Sequence, residues 1–394
     1  MSIREVYADN NATTMTAPEV LESMQPFFTR LYGNPSSMHQ FGGQVKKHID
    51  RARAQVAALL GAQPSEIIFT SCGTESDNAA IRGVLAATPD KRHIITSRVE
   101  HPAVKNVFQY LGQSGYRVSE LSVDREGRLD LDELREVLSG DTALVSLMWA
   151  NNETGVLFPV EQAAVMARAA GAVFHCDAVQ AAGKIPIDLG GSSIDLLSIS
   201  GHKLHAPKGV GVLYVRKGTH FSPWLLGGHQ ELGRRAGTEN VPGIVGLGRA
   251  CELARECIDA ENTTVRALRD RLEKSLLDRA IDASVNGDTA GRLPNTANIS
   301  FKYIEGESIL LLLSEAGIAA SSGSACTSGS LEPSHVLRAM GVPFTRVHGS
   351  VRFSLSRYTT AEDVDYIVEN MLRIERRLRE LSPFGRDELP PQAG

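Results

Sequence analysis

The chain has 394 residues, 42% of them hydrophobic and 22% charged, with a formal net charge of -5 and five cysteines. This is the composition of a folded globular protein too long for one small core, so a large and a small domain are expected. The weakly acidic balance lacks the basic footprint of a nucleic-acid binder. The scattered cysteines show no CxxC pair, disulfide framework or metal-finger spacing, and the longest apolar run, Ile309 to Leu313, is far too short for a bilayer.

The N-terminus, MSIREVYADNNATT, has no basic stretch followed by an apolar core, so a cytoplasmic protein is expected. From about residue 16 to 260 the runs EIIFT, KRHIITS, TALVSLMW, AVFHCDA, DLLSIS and GVGVLYV are separated by amphipathic spacers of helix length. That alternation predicts βαβ crossovers and a mainly parallel sheet with helices on both faces. VRALRDRLEKSLLDRA then predicts a long helix, NTANISFKY and SVRFSLS two strands, and DVDYIVENMLRIERRLREL a closing helix. The expected division is a large α/β domain over 16–260 and a small α+β domain over 1–15 and 261–394, with the Pro-rich end SPFGRDELPPQAG fraying.

Parallel α/β sheets bind ligands beyond the carboxyl ends of their strands, so the residue types at each tip carry the argument. After EIIFT come Gly73 and Thr74 at a helix start, where unpaired N–H groups and a hydroxyl suit a phosphate, or where Thr74 serves only as a cap. His101 in VEHPAV is either a packed histidine or a flat ring able to stack on a flat cofactor and shuttle protons. Asn152 follows LVSLMW. Asp177 ends AVFHCD; a carboxylate there is costly unless a cation such as a protonated pyridine nitrogen faces it, the alternative being a salt bridge or a helix cap. Gln180, one turn on, is within reach of the phenolic oxygen of such a ring, as is Asn152. Ser200 and His202 flank Lys203 in SISGHKLHAPKGVG, between two strand-like runs. A lysine held close to the core loses part of its preference for the charged form and becomes a Schiff-base nucleophile. Together these tips predict that Lys203 carries pyridoxal 5'-phosphate.

Two further residues stand apart. Cys326 lies in SSGSACTSGS, a Gly/Ser-rich loop with little apolar material to bury a thiol, which suits a mobile nucleophile. Cys72, Cys176, Cys251 and Cys257 lie on strand-end or helix patterns and are expected to be structural. Arg352, charged within the apolar SVRFSLS, is expected to bind a substrate carboxylate in a two-pronged geometry, the alternative being an ordinary ion pair.

The segments YADNNATT, YGNPSSMH, FTSCGTESDN, EHPAV, NNETG, HCDAVQ, SGHKLHAPKGVG, GGHQELGRRAGTEN, SSGSACTSGSLEPSHVL and VRFSLS span nearly the whole chain. In them the sequence resembles the cysteine desulfurases of the NifS and IscS type, within the class V aminotransferase-like enzymes. MWANNETG and CGTESDNAAI look closer to the nitrogen-fixation branch.

The resemblance implies the pyridoxal-phosphate fold-type I: a large domain with a mainly parallel seven-stranded sheet, and a smaller α+β C-terminal domain carrying the catalytic-cysteine loop. It implies Lys203 as the Schiff-base lysine, Asp177 as the pyridinium partner and His101 as the stacking residue. Asn152 and Gln180 match ring contacts, and Gly73, Thr74, Ser200 and His202 the phosphate cradle. Thr238 matches a residue that reaches the phosphate of the neighbouring subunit, hence a homodimer. Cys326 matches the persulfide cysteine. The resemblance implies that it takes sulfur from L-cysteine, leaves L-alanine, and passes the sulfur to an iron-sulfur scaffold protein, with which it is expected to share a cluster as ligand. The rivals are a selenocysteine lyase or an aminotransferase of the same fold, and a non-enzymatic sulfur carrier or scaffold.

Overall fold

The structure is a computed structural model that describes residues 4–322 and 333–381. A two-stranded parallel pair joins β1 (Val6–Tyr7) near the N-terminus to a late strand. The large sheet follows in chain order as β2 (Ile67–Thr70), β3 (His93–Ser97), β4 (Arg117–Leu121), β5 (Thr142–Met148), β6 (Val173–Asp177), β7 (Leu196–Ser200) and β8 (Gly211–Val215). In space its order is β2-β8-β7-β6-β5-β3-β4, and only β8 runs antiparallel to its neighbours. β5 and β7 are buried at every position, as strands covered by helices on both faces must be, which is why they read as unbroken apolar runs.

β4 is the strand that the apolar runs did not reveal. Its sequence, RVSEL, is largely exposed or half-exposed, because it forms the edge of the sheet and carries the charges that protect an edge. Its position matters for the site. The chain runs outward from β3 to β4, then returns to the other side of β3 with β5, β6 and β7. The strand order therefore reverses between β3 and β5, and a crevice opens there beyond their carboxyl ends.

A second sheet holds β9 (Ala283–Val285), β10 (Thr296–Phe301) and β12 (Ser350–Ser354), all antiparallel with β10 in the centre; β11 (Ile318–Ala319) pairs with β1. Helices Arg266–Arg279 and Ala361–Leu381, both expected from the sequence, pack on each other over this sheet. Phe301, Phe353, Leu272 and Met371 lie in a core separate from that of the large sheet. The N-terminal segment crosses between the two parts. Beyond β1, Asp9 bridges to Ser354 and Thr14 N donates to the His202 carbonyl, so residues 9 to 14 lie against the turn that carries Lys203.

Candidate active site

One cavity of about 800 Å³ opens at the reversal point. Ten of the residues singled out in the sequence line it: Gly73, Thr74, His101, Asn152, Asp177, Gln180, Ser200, His202, Lys203 and Arg352. They come from the tips of five strands of the large sheet and from β12, and the sheet register brings together residues far apart in the chain.

Lys203 closes a short turn after β7. Its Nζ donates to the backbone carbonyls of Asn11 and Ala12. Burial disfavours its charge most, the cations Lys184 and Arg352 add to this, and Asp9 and Asp177 oppose it; the amine is pushed down to about 7. A substantial neutral fraction at physiological pH is the condition for a nucleophilic or basic lysine. Asp177 ends β6, buried, with one oxygen accepting from Val179 N at 2.9 Å. Burial raises its pKa, and His101, that N–H and Lys203 favour the carboxylate. His101 caps the helix Pro102–Gln113: its Nδ1 accepts from Ala103 N at 3.1 Å, so the ring is neutral and presents its other nitrogen to the cavity. Burial, the largest influence, keeps its proton affinity low.

Of the residues expected to form a phosphate cradle, Gly73 and Thr74 lie at the start of the helix Gly73–Ala87, Ser200 at the end of β7 and His202 in the turn after it. A Cβ on Gly73 would stand 2.8 Å from Val179 Cγ2, so only glycine lets this backbone approach the neighbouring tip. The Ser200 hydroxyl is buried in the cavity wall with no hydrogen-bond partner among the described residues. An unsatisfied buried hydroxyl beside a helix N-terminus fits an incoming anion. His202 is pushed down to about 4, by burial first and then by Lys203 and Lys208, so its ring is neutral. The donor set fits pyridoxal phosphate: an anion cradle, a carboxylate for a ring N–H, a flat ring and a reactive amine.

Arg352 is buried and already held: Nη2 donates to Asp9 Oδ1 at 2.7 Å and Nη1 to the Asn152 carbonyl at 2.8 Å. Thr238 is exposed and does not line this cavity. Its loop is anchored nearby, since Arg235 pairs with Glu75 at 2.7 Å, next to Thr74. Cys326 lies outside the described residues. Of the remaining cysteines, Cys176 and Cys251 are buried, and burial pushes both thiols up. Cys72, expected to be structural, is half-buried and stands in the cavity wall at the N-cap of Gly73–Ala87.

Sequence reasoning missed several residues in the cavity wall and packed behind it. Asn11 is a hub: its carbonyl accepts from Lys203 and from Gln180 Nε2 at 3.0 Å, while its side chain bonds Thr296 and Asn295. Glu100 and Glu153 are buried carboxyls pushed up to about 8 and about 7, chiefly by burial. Asp77 is likewise raised by burial and by Asp177. His175, beneath them, meets Ser146 and Ser198 hydroxyls at 2.8 and 2.9 Å and is pushed by burial to about 3; its 3.6 Å approach to Asp77 is a contact of a neutral ring, not an ion pair. Glu100 adjoins His101 in VEHPAV, and Asp9 and Asn11 lie in YADNNATT, a segment that carries the family resemblance but held no residue singled out for the site.

The family model for aminotransferase class-V matches residues 6–367. A protein named cysteine desulfurase from Trichormus azollae is 63% identical over 97% of this chain and 96% of its own length. Cysteine desulfurase NifS from Azotobacter vinelandii is 59% identical over 96% and 95%. Among solved structures, a NifS-like protein superposes with a TM-score of 0.89 at 42% identity, covering 96% of this chain and all of that one. One titled SspA in complex with cysteine gives 0.79 at 35%, covering 90% and 99%. No helix among the described residues is long and apolar enough to cross a membrane. With a strand-tip cavity built around Lys203, Asp177 and His101, and with likeness running through nearly its whole length, the chain belongs to the class-V aminotransferase family and, within it, to the cysteine desulfurases of the NifS type.

Proposed function

We propose that the protein is a pyridoxal-phosphate-dependent cysteine desulfurase that converts L-cysteine to L-alanine and retains the sulfur on Cys326 as a persulfide. The observation that carries this reading is the convergence of Lys203, Asp177 and His101 from three strand tips on one cavity, beside the unpartnered Ser200 hydroxyl. The names of its relatives, and a solved relative titled as a complex with cysteine, support the substrate.

Gly73, Thr74, Ser200 and His202 would hold the cofactor phosphate, Asp177 its ring nitrogen, His101 its ring face, Asn152 and Gln180 its ring oxygen, and Lys203 its aldehyde carbon. When bound, pyridoxal phosphate supplies an electron sink for the substrate α-carbon. Asp177 keeps the proton on the ring nitrogen. Lys203 in its neutral form takes the α-proton, and His101 offers its second ring nitrogen for proton transfer at the substrate. Arg352 orients the substrate carboxylate with a guanidinium already fixed by Asp9 and the Asn152 carbonyl.

The thiolate of Cys326 then attacks the substrate sulfur: an S–S bond forms, the carbon–sulfur bond breaks, and the electron pair left on carbon is protonated to give alanine. The high thiol pKa values of Cys176 and Cys251 support assigning this role elsewhere.

The finer parts of the proposal are a homodimer with shared sites, a cytoplasmic setting, and an iron-sulfur scaffold protein as acceptor, with Cys326 as a shared cluster ligand and a link to nitrogenase. Exposed Trp224, Leu226 and Leu232 on the loop that carries Thr238 support the dimer. The test is to supply the reconstituted protein with L-cysteine and a thiol reductant. Alanine and sulfide in equal amounts are expected. A keto acid in place of alanine, turnover of selenocysteine alone, or no sulfide overturns the proposal.

A further inference from the structure

Beside Lys203, and lining a second, small cavity with it, lies another lysine that the mechanism does not use. Lys184 is 7% exposed. Its Nζ donates to the Gln180 carbonyl oxygen at 3.1 Å and to Gln180 Oε1 at 3.3 Å. An ammonium has three donors and no acceptor, so the carboxamide edge facing it must be the oxygen. The opposite edge, Nε2, is thereby turned to the Asn11 carbonyl, the same oxygen that accepts from Lys203. Lys184, Gln180, Asn11 and Lys203 thus form one hydrogen-bonded chain.

Lys184 and Lys203 also share the wall of a small cavity of about 20 Å³ with Glu261, His205 and Arg357. Glu261 is buried and keeps Oε2 without a hydrogen-bond partner among the described residues. The segment bearing it is tied down, since Asn262 Nδ2 donates to the Lys184 carbonyl at 2.8 Å. Gly183 fixes the approach: its φ is +73°, and a Cβ there would stand 2.5 Å from Leu204 Cδ2. The backbone of Lys184 is therefore clamped beside the Lys203 turn.

We infer that Lys184 is a positioning residue for the reactive lysine: its buried ammonium, balanced by Glu261, fixes the Gln180 carboxamide with its NH2 edge toward the active site and adds a positive charge beside Lys203. This rests on Lys203 being the cofactor-bearing lysine. The charge environment agrees with it. Lys203 faces Lys184 and Arg352 as cations, Asp9 and Asp177 as anions, and the neutral rings of His101 and His202; of the cations, Lys184 contributes most to lowering its proton affinity. Lys184 in turn faces Glu261, which favours its charge, and Arg352, which opposes it.

The experiment compares wild type, Lys184→Met, Lys184→Arg and Glu261→Gln as full-length proteins. In cofactor-stripped protein, labelling of Lys203 by an amine-acylating reagent is followed by mass spectrometry across a pH series. In holoenzyme, the visible band of bound cofactor is titrated. Removing the cation should move both midpoints upward in Lys184→Met, cutting Lys203 labelling at neutral pH by roughly three- to ten-fold. Glu261→Gln should shift them less and in the same sense, because Lys184 then gives up its proton at lower pH, and Lys184→Arg should stay with wild type. Unmoved midpoints in folded Lys184→Met, or equal shifts in Met and Arg variants, overturn the inference. If Lys184→Met fails to fold, an unmoved Glu261→Gln does so. Loss of the desulfurase reading alone would leave the Lys203 labelling curves as predicted.

Discussion

An amine and a carboxylate buried in one wall divide the work of this site, and each can be removed separately. Lys203 is depressed toward neutrality mainly by burial, while burial raises the proton affinity of Asp177 and the Val179 N–H and Lys203 work against that rise. Asp177→Ala is therefore expected to retain covalent attachment of the cofactor at Lys203, yet to slow exchange of the substrate α-proton by about 100-fold or more, since the ring would lose the partner of its nitrogen. Proton exchange followed by NMR checks this; an unchanged rate would remove Asp177 from the mechanism. Cys326→Ala should leave cofactor binding and α-proton exchange intact and abolish persulfide and alanine formation, because Cys176 and Cys251 are buried thiols that burial pushes up. Mass spectrometry of the protein after incubation with L-cysteine reads the persulfide directly, and persulfide at Cys72 instead would reassign the nucleophile.

At the scale of elements, the tips of β3, β5 and β6 carry a cluster of carboxyls that folding has removed from water. Glu100 follows β3, accepts from Ser97 Oγ at 2.6 Å and Met148 N at 3.1 Å, and is pushed up to about 8, chiefly by burial. A carboxyl whose folded pKa lies above its unfolded value contributes stability that is complete below the unfolded value and is lost as pH rises through about 8. Glu100→Gln keeps the shape and has no proton to lose. It should match wild type below about pH 4.5, gain on it progressively as pH rises toward about 8, and exceed it by roughly 2–4 kcal/mol near pH ~9, read as unfolding midpoints in denaturant. Equal pH dependence of the two proteins would mean that Glu100 is solvated on opening of the cavity. Glu153, after β5, sits in the same regime, with Ser334 Oγ donating to it while that hydroxyl caps the helix His335–Ala339.

For the whole molecule, the relevant fact is that Thr238 stands outside the cavity formed by its own chain, on a loop with exposed Trp224, Leu226 and Leu232. If Thr238 serves a neighbouring copy, complementation should show it. Thr238→Asp, which places a carboxylate against the phosphate, and Lys203→Ala should each be inactive as homodimers. Co-expressed, they should recover about a quarter of wild-type activity: half the dimers are mixed in a random assortment, and each mixed dimer holds one site with an intact Lys203 and a partner's Thr238. No recovery in mixed dimers isolated by two affinity tags would place Thr238 in its own chain's site.

The buried runs of β2, β3, β5, β6, β7 and β8 were legible from the sequence because a strand covered on both faces has to be apolar throughout, and the polar residues that break those runs at their ends marked Lys203, Asp177 and His101. β4 was not legible, since an edge strand alternates and carries charge like a loop. Nor were Asn11, Lys184 and Glu100 as partners in the site: asparagine, lysine and glutamate are ordinarily surface residues, and nothing local in a sequence marks them as buried. The sequence by itself determined which residue types stand at the strand tips, because tip chemistry is written in adjacent residues. Only the tertiary structure decided which tips meet, that the N-terminal segment lies against Lys203, and that a second lysine stands beside it, because those contacts span up to 192 residues of chain and depend on strand order.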